Sequence, residues 1–169
     1  LKEFKQLTKA LRGQLRMVTI TGGEPFLAKD LLRVSKMFLQ DPQLQQINFI
    51  TNGLMSKKIH DDVKKILRYA APNVRVLVNV SLDGMAETHD HIRKVPGNFA
   101  KAISTIQILK PLQLEYPNFE IGVLSTVSKG NLDQYKELNS FVEDDLDLYH
   151  RVNLIRSNSS HVYGTPRNL

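Results

Sequence analysis

Cysteine is absent from all 169 residues. That excludes disulfides, and it excludes any metal or cluster site whose thiolate ligands come from this chain. No apolar run approaches the roughly 18 residues that cross a bilayer, and the opening residues do not read as a secretory signal. A membrane role is therefore not expected, and the default expectation is a cytoplasmic location. Acidic residues are the scarcer charge, 17 against 23 lysines and arginines, for a net +6. The basic residues make no block of about five or more and spread over helical stretches, where solvated faces account for them. Nucleic acid is thus not an expected partner. Linkers and low-complexity runs are missing too. With 41% apolar and 24% charged residues, the chain has the composition of a globular protein, and one domain over 1–169 is expected.

What is present alternates. Leu1, Phe4, Leu7 and Leu11 have helical spacing, and a pattern that opens inside a helix leads us to expect further chain upstream. Five apolar, β-branched segments follow: Met17–Thr21, Gln46–Thr51, Val74–Ser81, Phe119–Val127 and Arg151–Ile155. Between them, one-sided apolar faces recur at steps of three and four. They are Leu31, Val34 and Phe38; Ile59, Val63, Ile66 and Ala70; Ala102, Ile106 and Leu109; and Leu132, Tyr135, Leu138 and Val142. Ser56, Asn98 and Asn131 read as helix-start residues. The order α(βα)4β predicts βαβ units and a parallel sheet.

The first strand runs directly into Gly22, Gly23, Glu24 and Pro25, a strand-turn-helix with its polar atoms at the strand's carboxyl end. Parallel sheets and barrels collect ligands at that end. Two glycines permit close backbone approach, and a carboxylate there suits an ammonium better than a phosphate. Taken alone, the stretch is also that of a plain tight turn with an acidic first-turn residue. The strand ends together would bring Glu24, Asn52, Ser81, Asp83, Thr126 and Arg156 to one mouth. These suit a polar ligand with hydroxyls, an amine and a carboxylate: Ser81 and Asp83 for hydroxyls, Glu24 for the ammonium, Arg93 or Arg156 for the carboxylate. The connection from Leu82 to Asn98 is long for a βα loop and holds Asp83, Glu87, His89, Asp90, His91 and Arg93. His89 and His91 are metal-ligand types, but residues two apart diverge on a helix, so a short helical turn with hydrogen-bonding histidines is the preferred reading.

The motifs Thr21-Gly22-Gly23-Glu24-Pro25-Phe26-Leu27, Thr51-Asn52-Gly53, Ser81-Leu82-Asp83-Gly84, His89-Asp90-His91-Ile92-Arg93 and Pro96-Gly97-Asn98-Phe99 resemble, in order, those of the radical S-adenosylmethionine (SAM) enzymes. The likeness runs from about Leu1 to Arg156 and is greatest to the branch of anaerobic sulfatase-maturing enzymes and peptide maturases. It implies an α/β fold, a parallel partial (β/α)6 barrel of the TIM type, truncated before its first strand and after its sixth. It also implies SAM and a [4Fe-4S] cluster as cofactors, with the cluster's cysteine loop expected upstream of Leu1. The activity implied is reductive cleavage of SAM to a 5′-deoxyadenosyl radical that abstracts hydrogen from a substrate. That substrate would be a peptide or protein in the branch named, and the electron donor a flavodoxin or ferredoxin. Carried onto this chain, Gly22, Gly23, Glu24 and Pro25 would hold the SAM amine. Ser81 and Arg93 would take its carboxylate or ribose, Asn52, Asp83 and Thr126 would line the cofactor, and Arg156 would pair with a carboxylate. No side chain is assigned as catalytic. Two alternatives stay open: a non-catalytic SAM-binding or scaffold module, which the lack of cysteine permits, and a non-radical barrel enzyme that binds phosphate at its glycine-rich turns.

Overall fold

The computed structural model describes residues 1–155. In chain order the elements are α1 (Lys2–Ala10), β1 (Met17–Ile20), a 3-10 turn (Pro25–Leu27), α2 (Leu31–Leu39), β2 (Gln46–Thr51), α3 (Ser56–Leu67) and β3 (Arg75–Ser81). There follow α4 (Ala86–Arg93), α5 (Asn98–Glu115), β4 (Phe119–Val127), α6 (Tyr135–Ser140), a π turn (Phe141–Asp145) and β5 (Tyr149–Leu154). The strands form one sheet in sequential order, every neighbour parallel. Sequential parallel order with right-handed crossovers puts all helices on one face, as in a partial (β/α) barrel.

Strand register separates the two faces. Ile47, Val76 and Phe119 align across β2, β3 and β4, as do Phe49, Val78 and Ile121. These residues join Ile59, Val63, Ile106 and Leu109 of α3 and α5 in one buried core. Phe26, from the turn after β1, lies in the same core with its ring 5.9 Å from that of Phe49. The alternate residues make the inner face. Asn79 aligns with Ile50 and Gly122, and Ser81 with Leu124. Asn79 Nδ2 donates to Asn48 Oδ1 at 2.6 Å. A side chain at Gly122 would stand 2.8 Å from Asn79 Oδ1, so glycine makes room for this pair.

At the foot of the inner face Arg75 meets Glu120, with Nε 2.9 Å from Oε1. Both side chains are about half exposed, 56% and 43%, so water screens the pair. We expect Glu120→Gln to lower stability by no more than about 1 kcal/mol in urea unfolding; a loss above about 2 kcal/mol would contradict the screening argument.

Several expectations shift. The long connection after β3 contains a full helix, α4, so the order has one more helix than α(βα)4β. β5 starts at Tyr149, two residues ahead of the apolar run, because its hydrogen-bonded pairing with β4 begins there. Leu132 is 60% exposed and precedes α6, whose buried face uses Leu138 and, in the π turn, Val142. Ser56 and Asn98 are first helical residues rather than caps. The cap of α5 comes from outside that helix: Asp90 of α4 accepts from Gly97 N and Phe99 N, and these bonds, chiefly that from Phe99, hold its carboxyl below the usual range. No helix among the described residues is long and apolar enough to cross a membrane.

Candidate functional site

Glu24 is set by its neighbours before any ligand is considered. Gly22 has φ +145°, which favours glycine, and Pro25 opens the 3-10 turn with Glu24 extended ahead of it. Its Oε1 accepts from Phe26 N at 3.1 Å and from Thr51 Oγ1 at 2.9 Å, and its Oε2 from Asn52 N at 2.8 Å. One carboxylate thus ties the turn after β1 to the end of β2. A carboxylate has about four acceptor positions; three are filled by described residues, and the fourth, on Oε2, can take an ammonium. Gly22 and Gly23 beside it are exposed, and neither would crowd an added side chain.

The end of β2 is fastened to α5. Gly53 has φ +74°, its N–H donates to Thr51 Oγ1, and its carbonyl accepts from Thr105 Oγ1 at 2.6 Å. Asn52 Oδ1 accepts from Leu54 N, closing the turn.

Beyond β3, Asp83 is 4% exposed and bonded on every polar atom. Its N–H donates to His89 Nδ1 at 3.0 Å, and its carbonyl accepts from Asn131 Nδ2 at 2.6 Å. Oδ1 accepts from Thr126 N at 2.8 Å and Oδ2 from Arg93 Nε at 2.6 Å. Asp83 therefore spends its carboxylate on Thr126 and Arg93 rather than presenting it freely to hydroxyls. Arg93 is 31% exposed on its side chain and uses Nε here, and its Nη groups make no hydrogen bond among the described residues. Ser81 stands on the inner face in register with Leu124, and Thr126 in register with Asn153. The structure thus brings Glu24 to Asn52, and Asp83 to Arg93 and Thr126. Arg156 lies outside the described residues.

Three contributors were not legible as such. Thr51 bonds Glu24 from the next strand. Asn131 starts no helix; it is buried, and its Nδ2 bridges the carbonyls of Asp83 and Thr126 while its Oδ1 accepts from Ser128 N. Its place in a Ser-Lys-Gly-Asn turn was the only local signal. His150 Nε2 lies 2.7 Å from Ser125 Oγ, and Ser125 donates to the carbonyl of Leu82. Ser125 is fully buried, so this pair braces β3, β4 and β5 and cannot serve as a nucleophile and base. His89 and His91 diverge as their spacing requires: His89 is buried and His91 exposed. No group of three His, Cys, Asp or Glu among the described residues could hold a metal ion.

The family model of the radical SAM superfamily matches residues 1–141. Among curated proteins, the sporulation killing factor maturation protein of Bacillus subtilis is 27% identical over 121 residues, 72% of this chain and 26% of that protein. The AdoMet-dependent heme synthase of Methanosarcina barkeri is 31% identical over 70% of this chain and 30% of its own length. A probable GTP 3′,8-cyclase of Methanococcus vannielii is 32% identical over 69% and 38%. The chain spans well under half the length of each of these relatives. A model match over most of the chain, joined to a sequential parallel sheet with the Gly-Gly-Glu-Pro turn at its first strand end, shows the family: the chain belongs to the radical SAM superfamily.

Proposed function

We propose that this chain is the SAM-binding part of a radical SAM enzyme core, with Glu24 as the partner of the SAM ammonium. The observation that carries the reading is the pre-set Glu24 carboxylate, held by three donors with one acceptor position open beside two exposed glycines. Arg93 would take the carboxylate of SAM through its Nη groups, and Ser81, on the inner face, its carboxylate or ribose. Asn52 and Thr126 would line the nucleoside, and Asp83 would hold Arg93 and Thr126 in place. These residues fit SAM: an ammonium, a carboxylate and hydroxyls each find a complementary group.

They do not fit an iron–sulfur cluster. Clusters of this class are held by cysteine thiolates, and the 169 residues contain none. Superfamily chemistry uses such a cluster to cleave SAM to a 5′-deoxyadenosyl radical, and this chain supplies no thiolate to hold it. A peptide or protein substrate, as the likeness to the peptide-maturase branch implies, is the proposal for the whole protein. A second reading, a SAM-binding or scaffold module without catalysis, is permitted by the lack of cysteine in this chain.

Equilibrium dialysis with labelled SAM tests the binding claim. We expect saturable binding that S-adenosylhomocysteine competes and inorganic phosphate does not. Glu24→Gln, which removes the charge and can satisfy only part of the three-donor set, should weaken binding roughly 10- to 100-fold, as expected for a charged hydrogen bond of about 1.5–3 kcal/mol. Displacement by phosphate, or equal affinity in the variant, would remove the assignment.

A further inference from the structure

His89 is fully buried in α4, midway along the β3–α5 connection. Its Nδ1 accepts the backbone N–H of Asp83, so that nitrogen carries no proton. The neutral ring's proton must then sit on Nε2. At that edge two buried atoms lack hydrogen-bond partners among the described residues, His89 Nε2 and Asn98 Oδ1. One needs an acceptor and the other a donor, and the two side chains are close enough to interact. The Phe99 ring packs against the imidazole, T-shaped with centroids 6.2 Å apart.

We propose that His89, as its Nε2–H tautomer, is a positioning residue for a carboxylate-bearing ligand: bridging the Asp83 N–H and Asn98, it keeps the Asp83–Arg93 pair in place at the end of β3. This rests on the assignment of Arg93 to the SAM carboxylate. Asp83 has no freedom of its own, because its carboxylate is divided between Arg93 and Thr126 N while its backbone is pinned by His89 and Asn131. Removing the ring releases one of these four restraints.

The geometry carries a pH consequence. A second proton on His89 would have to go to Nδ1, where it would face the Asp83 N–H, donor against donor. Burial lowers the pKa of the ring, with Arg93 acting the same way; Asp83, Asp90 and the Asn98 side chain oppose it. A lowered folded pKa means that the unfolded chain binds more protons as pH drops below about 6.5, so stability falls with pH there until the folded value is passed. His150 is lowered by burial too, so global stability cannot single out His89. A local readout is needed.

The test uses NMR on the isotope-labelled chain. Nitrogen shifts should show His89 as the Nε2–H tautomer, and the Arg93 Nε–H should exchange slowly with solvent at neutral pH. His89→Leu should speed that exchange at least about 10-fold while the amide of Val78 in the core stays protected. His89→Asn, whose Oδ1 can replace the Nδ1 acceptor, should restore part of it. Asn98→Asp should move the acid loss of Arg93 protection to higher pH. An Nδ1–H ring, or Arg93 exchange unchanged in both His89→Leu and Asn98→Asp, would overturn the proposal. If His89→Leu does not fold, the wild-type tautomer and the Asn98→Asp shift decide it. SAM affinity is measured in parallel: no binding by the wild-type chain would refute the ligand assignment, while the Arg93 exchange would still report whether His89 positions the pair.

Discussion

Gly53→Ala is expected to lower the stability of this chain by about 2–5 kcal/mol. Two costs add. The backbone at Gly53 has φ +74°, a left-handed conformation that costs an L-residue about 1–2 kcal/mol. A Cβ there would also lie 2.9 Å from the Cα of Ala102 and 3.1 Å from Val80 Cγ1. The first contact is helix backbone, so relief requires α5 to move away from the sheet, and overpacking of this kind costs about 1–3 kcal/mol. α5 cannot move freely, because Thr105 Oγ1 is bonded to the Gly53 carbonyl and Ala102 and Ile106 are fully buried. Urea unfolding of the two proteins measures the difference; a loss below about 1 kcal/mol would mean that the helix shifts easily and that the close approach is not a constraint. Because Gly53 follows Asn52, whose N–H holds Glu24, the same substitution should weaken SAM binding, and a variant that keeps full affinity would separate the turn from the site.

Asp83→Ala is expected to cost about 3 kcal/mol. The substitution leaves Arg93 without its counter-charge and Thr126 N–H without an acceptor, both formerly bonded to a carboxylate that is 4% exposed. Breaking a buried charged pair from one side costs about 3–5 kcal/mol, and the partial access of Arg93 to water places this case at the low end. Asp83→Asn should recover part of the loss by accepting from Thr126 N, though its amide N–H would oppose Arg93. Chemical denaturation of the three proteins ranks them. Equal losses for alanine and asparagine would locate the whole effect in the Arg93 pair, and no loss in either would remove Asp83 from its bracing role.

The local features were legible because their causes are local. Apolar alternation marked β1 to β4 to within a residue or two, since β-branched runs between helical patterns have few other uses in a parallel sheet. The Gly-Gly-Glu-Pro and Thr-Asn-Gly turns marked strand ends because Gly22 and Gly53 must have positive φ and Pro25 must start a turn. Helix α4 was legible only as a short helical turn in a long connection: its eight residues are mostly polar, only His89 among them is buried, and so no apolar stripe marks its length.

The sequence by itself determined the βα alternation, the polar strand ends, the family motifs and the impossibility of thiolate ligands from this chain. Tertiary structure decided what each polar residue does. The sequence pointed Asp83 at a ligand's hydroxyls, but Thr126, 43 positions away, supplies the N–H that takes Oδ1, and Asn131, 48 away, supplies the donor to its carbonyl. Glu24 is likewise pre-set by Thr51 and Asn52, 27 and 28 positions on. Hydrogen-bond partners so far apart in the chain are chosen by strand register and loop packing, which exist only once the sheet has formed.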